Sequence, residues 1–513
     1  MRAALRLGVR PVFGSFGRLI KAGFLLLRED VLIPRELSHH LSPPVRFFAG
    51  SLRFCFARRG PQARVGLRYA RAFESLGPAF IKLGQVLSTR GDIFGPEFIR
   101  DLAHLKDQLP PFDDAVARRL IEEALEQPVE TIFAEFGEVI GAASIAQAHR
   151  AVLKDGRKVA VKILRPRIEQ IIADDTAMMR LAAKLIAFFS PASRRLEPEA
   201  FVDTVAQSLL LELDLRLEAS AADELGAIIN SEPYMSAPKV VWQYVARRVI
   251  VVEWANGIPL SRPEALNLPG LDPKGMADNL IRSFLSQALN HGVFHADLHE
   301  GNLFAQAPDH LTAIDFGIIG RLKPAERLYL AEMLWGFLRR NYRRVAEVHF
   351  EAGYVPRHHN VDAFAQALRA VGEPVLGKAA TEVSMGRLLT QLFEITAQFD
   401  MHLRPELVLL QKTMVSVEGV ARRLYPEHDI WEAARPVVKE FISKELSPVA
   451  EARRLLDKLV QRLKDDDPAE RAARDKALLL LVQSEMKQSR NLSVLAVATA
   501  ALALGVMVWV ALT

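Results

Sequence analysis

The sequence predicts an α+β protein of two lobes, a small mostly-β lobe joined by a short linker to a larger helical one. Three observations predict this. Loosely alternating apolar stretches at Ile145–Val152 and Val159–Leu164 flank the turn pair Asp155-Gly156, the pattern of a strand hairpin. Apolar residues at three- and four-residue spacings mark helices before and after that hairpin. Between them lies the polar loop His295-Ala-Asp297-Leu-His299-Glu-Gly-Asn302, followed by an apolar run and then Asp315-Phe316-Gly317.

The elements follow in order. Residues 1–60 are basic and interrupted by proline. Arg2, Arg6, Arg10, Arg18, Lys21 and Arg28 precede any acid, and Leu19-Ile20 and Phe24–Leu27 interleave with them. Such a basic amphipathic stretch suits an anionic membrane surface, and a solvated N-terminus is the competing reading. Residues 61–130 are a helical extension, with Tyr69, Phe73, Leu76, Phe80, Leu83 and Leu87 at three- and four-residue spacings and a break at Pro110-Pro111. Residues 131–256 form the β lobe with a helical insertion from about 168 to 228, and further strands are expected at Lys239–Trp242 and Arg247–Val252. Glu253-Trp254-Ala-Asn256-Gly257 reads as the linker. Residues 257–445 form the helical lobe, entered by a helix over about 273–290.

A charged tail, 446–490, leads to 491–513. Leu492–Thr513 carries no charge, and as a helix it is about 33 Å long, close to the hydrocarbon thickness of a bilayer. Lys487 and Arg490 precede it, so a transmembrane helix here places the catalytic body in the cytosol. The one cysteine, Cys55, excludes an intrachain disulfide and a multi-cysteine zinc site. The net charge of +5 has no basic stripe with interleaved aromatics, so no nucleic-acid partner is expected.

The polar loop carries the chemistry. An Asp followed by Asn, then a strand ending in Asp-Phe-Gly, is how kinase-like folds hold phosphates. Asn302 and Asp315 are the candidate Mg²⁺ ligands, because Mg²⁺ prefers hard oxygen donors. Asp297 is the candidate catalytic group, placed to accept or position the proton of an attacking hydroxyl. A metallohydrolase cluster of His295, Asp297, His299 and Glu300 competes, but it leaves Asp315-Phe-Gly unexplained. Simple turn chemistry also competes, though a turn does not need three metal-competent residues. Lys162 closes Val-Ala-Val-Lys and is expected to reach nucleotide phosphates, with Glu218 as its carboxylate partner. Asp214 and Glu218, four apart, are expected on one helix face. In place of a glycine-rich loop stands Gly141-Ala142-Ala143-Ser144, where alanine still permits close backbone approach to a nucleotide. Glu253, opening the linker, completes the candidate nucleotide-binding set.

These motifs, together with Phe80-Ile-Lys82-Leu-Gly84-Gln85-Val-Leu-Ser-Thr-Arg90, resemble the UbiB family of atypical kinase-like ATPases over about residues 65–440. The Lys-x-Gly-Gln segment, the alanine-rich loop, Lys162, Glu212-x-Asp214 with Glu218, Asp297, Asn302 and Asp315 follow in family order. The resemblance implies an atypical kinase fold with an N-terminal helical lid and Mg-ATP as cofactor. It implies Lys82 pointing at the phosphates, Gln85 bonding nearby, and Glu212 and Asp214 tethering the lid. It further implies support of ubiquinone biosynthesis at the bacterial inner membrane. The partners would then be membrane lipids and either quinone precursors or quinone-synthesis enzymes. Leu298 and Glu300 stand where the family usually has proline, Gly141 where alanine is common, and Ala221 where Asn is frequent. A single terminal span replaces a pair. The phosphoryl acceptor and the oligomeric state stay open. A small-molecule phosphotransferase of the aminoglycoside or choline kinase type and a nucleotide-gated scaffold are the alternatives. The Lys-x-Gly-Gln segment and the terminal span favour the first reading.

Overall fold

The computed structural model describes residues 12–31, 63–87, 95–102, 109–189, 197–374, 398–401 and 404–445, with single positions between these stretches. They fall into two compact units. One takes its residues from Met1–Ser283, Val293–Gly320 and Leu409–Tyr425; the other from Phe284–Gly292, Arg321–Val408 and Pro426–Thr513.

In the first unit, the predicted helical extension includes, among the described residues, the helices Val65–Leu76, Pro78–Leu87, Pro96–Leu102 and Asp114–Leu125. Val65–Leu76 ends at Gly77, whose φ of 110° suits glycine, and Pro78–Leu87 starts again one residue later. Phe73, Phe80 and Ile81 are buried between them. The Arg68 guanidinium donates to Asp30 at 2.8 Å, with both side chains almost fully buried, and so ties the Val12–Arg28 helix to this pair.

The first sheet has the antiparallel order β1 (Phe133–Ala142), β2 (Ala146–Leu153), β3 (Lys158–Leu164) and β5 (Val249–Glu253). Along β3, Val159, Val161 and Ile163 are inaccessible to solvent, so the two-residue period turns Ala160 and Lys162 to the other face. The buried face packs on Leu120 and Ile121 of the Asp114–Leu125 helix, which Asp113 caps through Ala115 N. Two expectations differ here. β1 was not foreseen, because three register shifts interrupt its alternation. Lys239–Trp242 is not a strand: Val240 makes one isolated bridge to Val252, and Trp242–Tyr244 closes into a 3₁₀ turn.

The predicted insertion is three helices, Ile168–Phe189, Pro198–Glu212 and Leu215–Asn230. Asp214 does not share a helix face with Glu218. It lies between two helices and caps the second, its carboxylate accepting from Arg216 N at 3.2 Å. A second sheet has the order β4 (Met235–Ser236), β9 (His310–Ala313), β8 (Leu303–Gln306) and β6 (Ile258–Pro259). β7 (Val293–His295) pairs with β10 (Ile319–Arg321). Gly320 seats its α-carbon on the Phe294 ring, leaving no room for a side chain.

The second unit is helical. Pro324–Leu338, Tyr342–Glu351 and Val361–Gly372 enclose a core that includes Tyr342, Val345, Phe364 and Leu368. Among the described residues no helix is long and apolar enough to cross a membrane. Leu492–Thr513, where a transmembrane helix is expected, lies outside the described residues, as do residues 1–11 of the basic N-terminus.

Candidate active site

All the sequence-predicted site residues fall within the first unit. Lys162 leaves the solvent-facing side of β3. Glu218 stands in the first turn of the Leu215–Asn230 helix, where the exposed N–H groups favour a carboxylate. The Lys162 ammonium donates to Glu218 Oε1 at 2.6 Å and lies 3.6 Å from Asp315 Oδ2. Burial disfavours the Lys162 charge, but the carboxylates of Asp315 and Glu218 outweigh it and hold the ammonium above its ordinary range. Lys162 in turn depresses the Asp315 carboxyl, while burial raises Glu218.

Asp315 has a φ of 61°, the left-handed region that few residues other than glycine and asparagine adopt. Its Oδ1 accepts from Gly317 N at 3.1 Å, which stabilises the turn and leaves Oδ2 facing Lys162. A non-glycine residue in this region, held by its surroundings, points to function.

The Asp297 loop is braced at three successive carbonyls. Thr413 Oγ1 donates to Ala296 O at 3.0 Å, Asn302 Nδ2 to Asp297 O at 3.1 Å, and Ser416 Oγ to Leu298 O at 2.5 Å. With its Nδ2 so engaged, Asn302 keeps its amide oxygen as an acceptor for a cation. His295, inaccessible to solvent, accepts from Asp297 N at Nδ1 and sets its ring 5.3 Å from that of Phe316. It thereby joins the Asp297 loop to the Asp-Phe-Gly turn. Burial pulls this imidazole below its usual range. The Asp297 carboxylate itself lies 3.6 Å from His299 Nε2 on one oxygen and 3.6 Å from Lys412 Nζ on the other.

The alanine-rich loop is a tight turn between β1 and β2, closed by Ala143 N donating to Ala146 O at 2.9 Å. Arg165 supports it from behind, donating to Ala143 O and to the carbonyls of Leu109 and Pro110. Ser144 is buried. A methyl group at Gly141 would meet nothing within 4 Å, and Gly141 does not adopt a positive φ, so the fold does not require glycine there. Glu253 ends β5 with its N–H bonded to Lys239 O at 2.9 Å.

Lys82 forms an ion pair with Glu212, both side chains mostly buried. Gln85 is half-buried one turn along the same helix, and Gly84 packs so closely on Phe73 and Leu105 that no side chain fits. Asp214 does not join the tether. Its carboxylate is held by its own near neighbour Arg216, at 2.6 and 2.8 Å.

Lys412, Thr413 and Ser416, all on the Pro405–Leu424 helix, were not foreseen. They stand among other polar residues of that helix, Gln411 and Glu418 included, so nothing in the sequence singles them out. Spacing alone gives no reason to direct them at a loop a hundred residues earlier.

Comparisons with known proteins place the chain in a family. The model of the ABC1 atypical kinase-like domain matches residues 104–349, and that of the UbiB helical domain matches 368–429. A Tolumonas auensis protein named "Probable protein kinase UbiB" is 40% identical over 456 residues, 87% of this chain and 83% of the relative. A Marinobacter nauticus protein of the same name is 36% identical over 478 residues, covering 92% and 86%. The solved complex of a Mycobacterium tuberculosis protein with erythromycin superposes with a TM-score of 0.51 at 23% identity, over 71% of this chain and 93% of that one, and shares the fold. The kinase-like α+β fold expected from the motifs is therefore present, and the chain belongs to the UbiB family of atypical kinases.

Proposed function

We propose that the chain is a membrane-anchored atypical kinase-like ATPase that binds Mg-ATP in this site and supports ubiquinone biosynthesis. It would do so by ATP-driven handling of lipid quinone precursors or by phosphorylating an acceptor. The observation that carries the reading is the convergence of Lys162, Glu218 and Asp315 beside the braced Asp297–Asn302 loop. The donor set fits Mg²⁺: a carboxylate oxygen of Asp315 and the amide oxygen of Asn302 are hard ligands. When bound, the ion would neutralise phosphate oxygens.

The chain's own residues would do the rest. Lys162, positioned by Glu218, donates to phosphate oxygens. The Ala143–Ala146 turn offers its backbone to the nucleotide. Asp297 takes or positions the proton of the attacking hydroxyl, its backbone fixed by Thr413, Asn302 and Ser416. Lys82, drawn to Glu212, holds the lid helix beside the Lys162–Glu218 pair, both of whose charges feel Glu212. The charge-free Leu492–Thr513 run and the basic N-terminus support anchoring to membrane lipid, with the catalytic body cytosolic.

Asp315→Asn tests the site. It removes a metal-binding charge while keeping a side chain able to accept from Gly317 N. Mg-ATP affinity measured calorimetrically should fall by at least about tenfold. A folded Asp315→Asn protein that binds Mg-ATP like its parent would overturn the assignment.

A further inference from the structure

Resting on the Mg-ATP reading, we propose that Lys412 is a positioning residue for turnover: its ammonium fixes the Asp297 carboxylate for the incoming hydroxyl. The case starts from the backbone. Thr413 and Ser416 lie three apart and therefore share one face of their helix. Their hydroxyls take the two carbonyls that flank Asp297, and Thr413 is buried while doing so. The helix is thus pinned to the Asp297 loop residue by residue, and Lys412 is the position next to the first pin. Its Nζ lies 3.6 Å from Asp297 Oδ1, while His299 Nε2 lies 3.6 Å from Oδ2. One carboxylate sits between two groups able to carry positive charge, one from its own loop and one from a helix far along the chain.

Electrostatics gives this placement a purpose. A carboxylate facing a bound triphosphate is repelled by it, and the repulsion turns the side chain away from the line of attack. A cation beside one carboxylate oxygen offsets that repulsion and keeps the carboxylate in place for the acceptor. Lys162 and Lys82 are already engaged by Glu218 and Glu212. Lys412 is about half exposed, so it borders the open side from which an acceptor approaches. The bland reading is a solvent-screened ion pair of little consequence.

The test uses the full chain in detergent or vesicles, with Lys412→Met, Lys412→Arg and the parent. Nucleotide affinity, KM, kcat for ATP turnover and melting temperature are measured together. Lys412→Met is expected to lower kcat by about tenfold or more, with Mg-ATP affinity and melting temperature close to the parent's, and Lys412→Arg to recover most of the loss. A purely structural residue would move melting temperature or affinity instead, and that result overturns the proposal, as does a kcat within about twofold of the parent. If the parent neither binds nor turns over Mg-ATP, the nucleotide reading itself fails and takes this inference with it. If the parent does both and Lys412→Met matches it, only this inference fails.

Discussion

Glu218→Gln separates two roles of the Lys162–Glu218 pair. The amide keeps nearly the same shape and an oxygen that can still accept from Lys162, so the fold should survive. What changes is the charge balance around Lys162. Its ammonium stands 2.6 Å from Glu218 and 3.6 Å from Asp315. At an effective dielectric constant near 20, unit charges at those separations attract by about 6.4 and about 4.6 kcal/mol. Between point charges the nearer carboxylate is favoured by about 2 kcal/mol, and Glu218 also accepts a hydrogen bond from Lys162. Once Glu218 is neutral, Lys162 shifts to Asp315 and competes with the metal for its oxygens. A bias of this size corresponds to about a 20- to 30-fold change in an equilibrium constant, so Mg-ATP affinity should weaken by about that factor. The assay is calorimetric titration at several Mg²⁺ concentrations. Raising Mg²⁺ should recover part of the lost affinity, because the competition is for the metal site. A Glu218→Gln protein with parental affinity, or one whose weakened affinity ignores Mg²⁺, would refute the reasoning.

Gly84→Ala should destabilise the protein by about 1–3 kcal/mol, since its methyl would strike Phe73 and Leu105, and thermal melting should show the loss. Gly141→Ala meets open space and should melt like the parent. Stability should fall as pH drops below about 6.5, because the unfolded chain takes up protons that buried His149 and His349 refuse: burial depresses both imidazoles, and each contributes about 1.4 kcal/mol per pH unit until its folded pKa is reached. Urea midpoints between pH 7.5 and 5.5 check this, and His349→Phe should flatten the slope by one proton. Removing Leu492–Thr513 should release the protein from membranes, read by sedimentation after an alkaline wash; full retention would assign the anchor to another segment.

The parts of the site legible in the sequence are those whose chemistry sits in a short run of residues. Asp297, Asn302 and Asp315 announce themselves because phosphate and metal chemistry calls for those side chains at those spacings. Lys162 follows from its strand, and Glu218 from the need of such a lysine for a helix carboxylate. Legibility stops where geometry depends on long-range packing. Glu212 and Asp214 are two residues apart and look equivalent, yet a break between helices sends one carboxylate to Lys82 and the other to Arg216. β1 escaped notice because bulges remove the two-residue period on which strand recognition rests. Thr413 and Ser416 read as ordinary helix residues until the fold brings their hydroxyls to the Asp297 loop.

The charges of the site explain why nucleotide and metal should bind as a pair on the proposed reading. Lys82, Lys162 and Lys412 each come from a different segment, and each meets a carboxylate: Glu212, Glu218 with Asp315, and Asp297. A nucleotide alone would draw the lysines toward its phosphates and leave the carboxylates facing one another. A divalent ion alone would meet Asp315 with Lys162 still beside it. With both bound, Lys162 would turn to the phosphates and leave the Asp315 oxygen to hold the ion. Each ligand thus removes the repulsion that opposes the other. Linkage then requires that Mg²⁺ tighten nucleotide binding by the same factor as nucleotide tightens Mg²⁺. Glu218 is the residue through which that exchange would run, because it holds Lys162 at 2.6 Å while Asp315 stands 3.6 Å away.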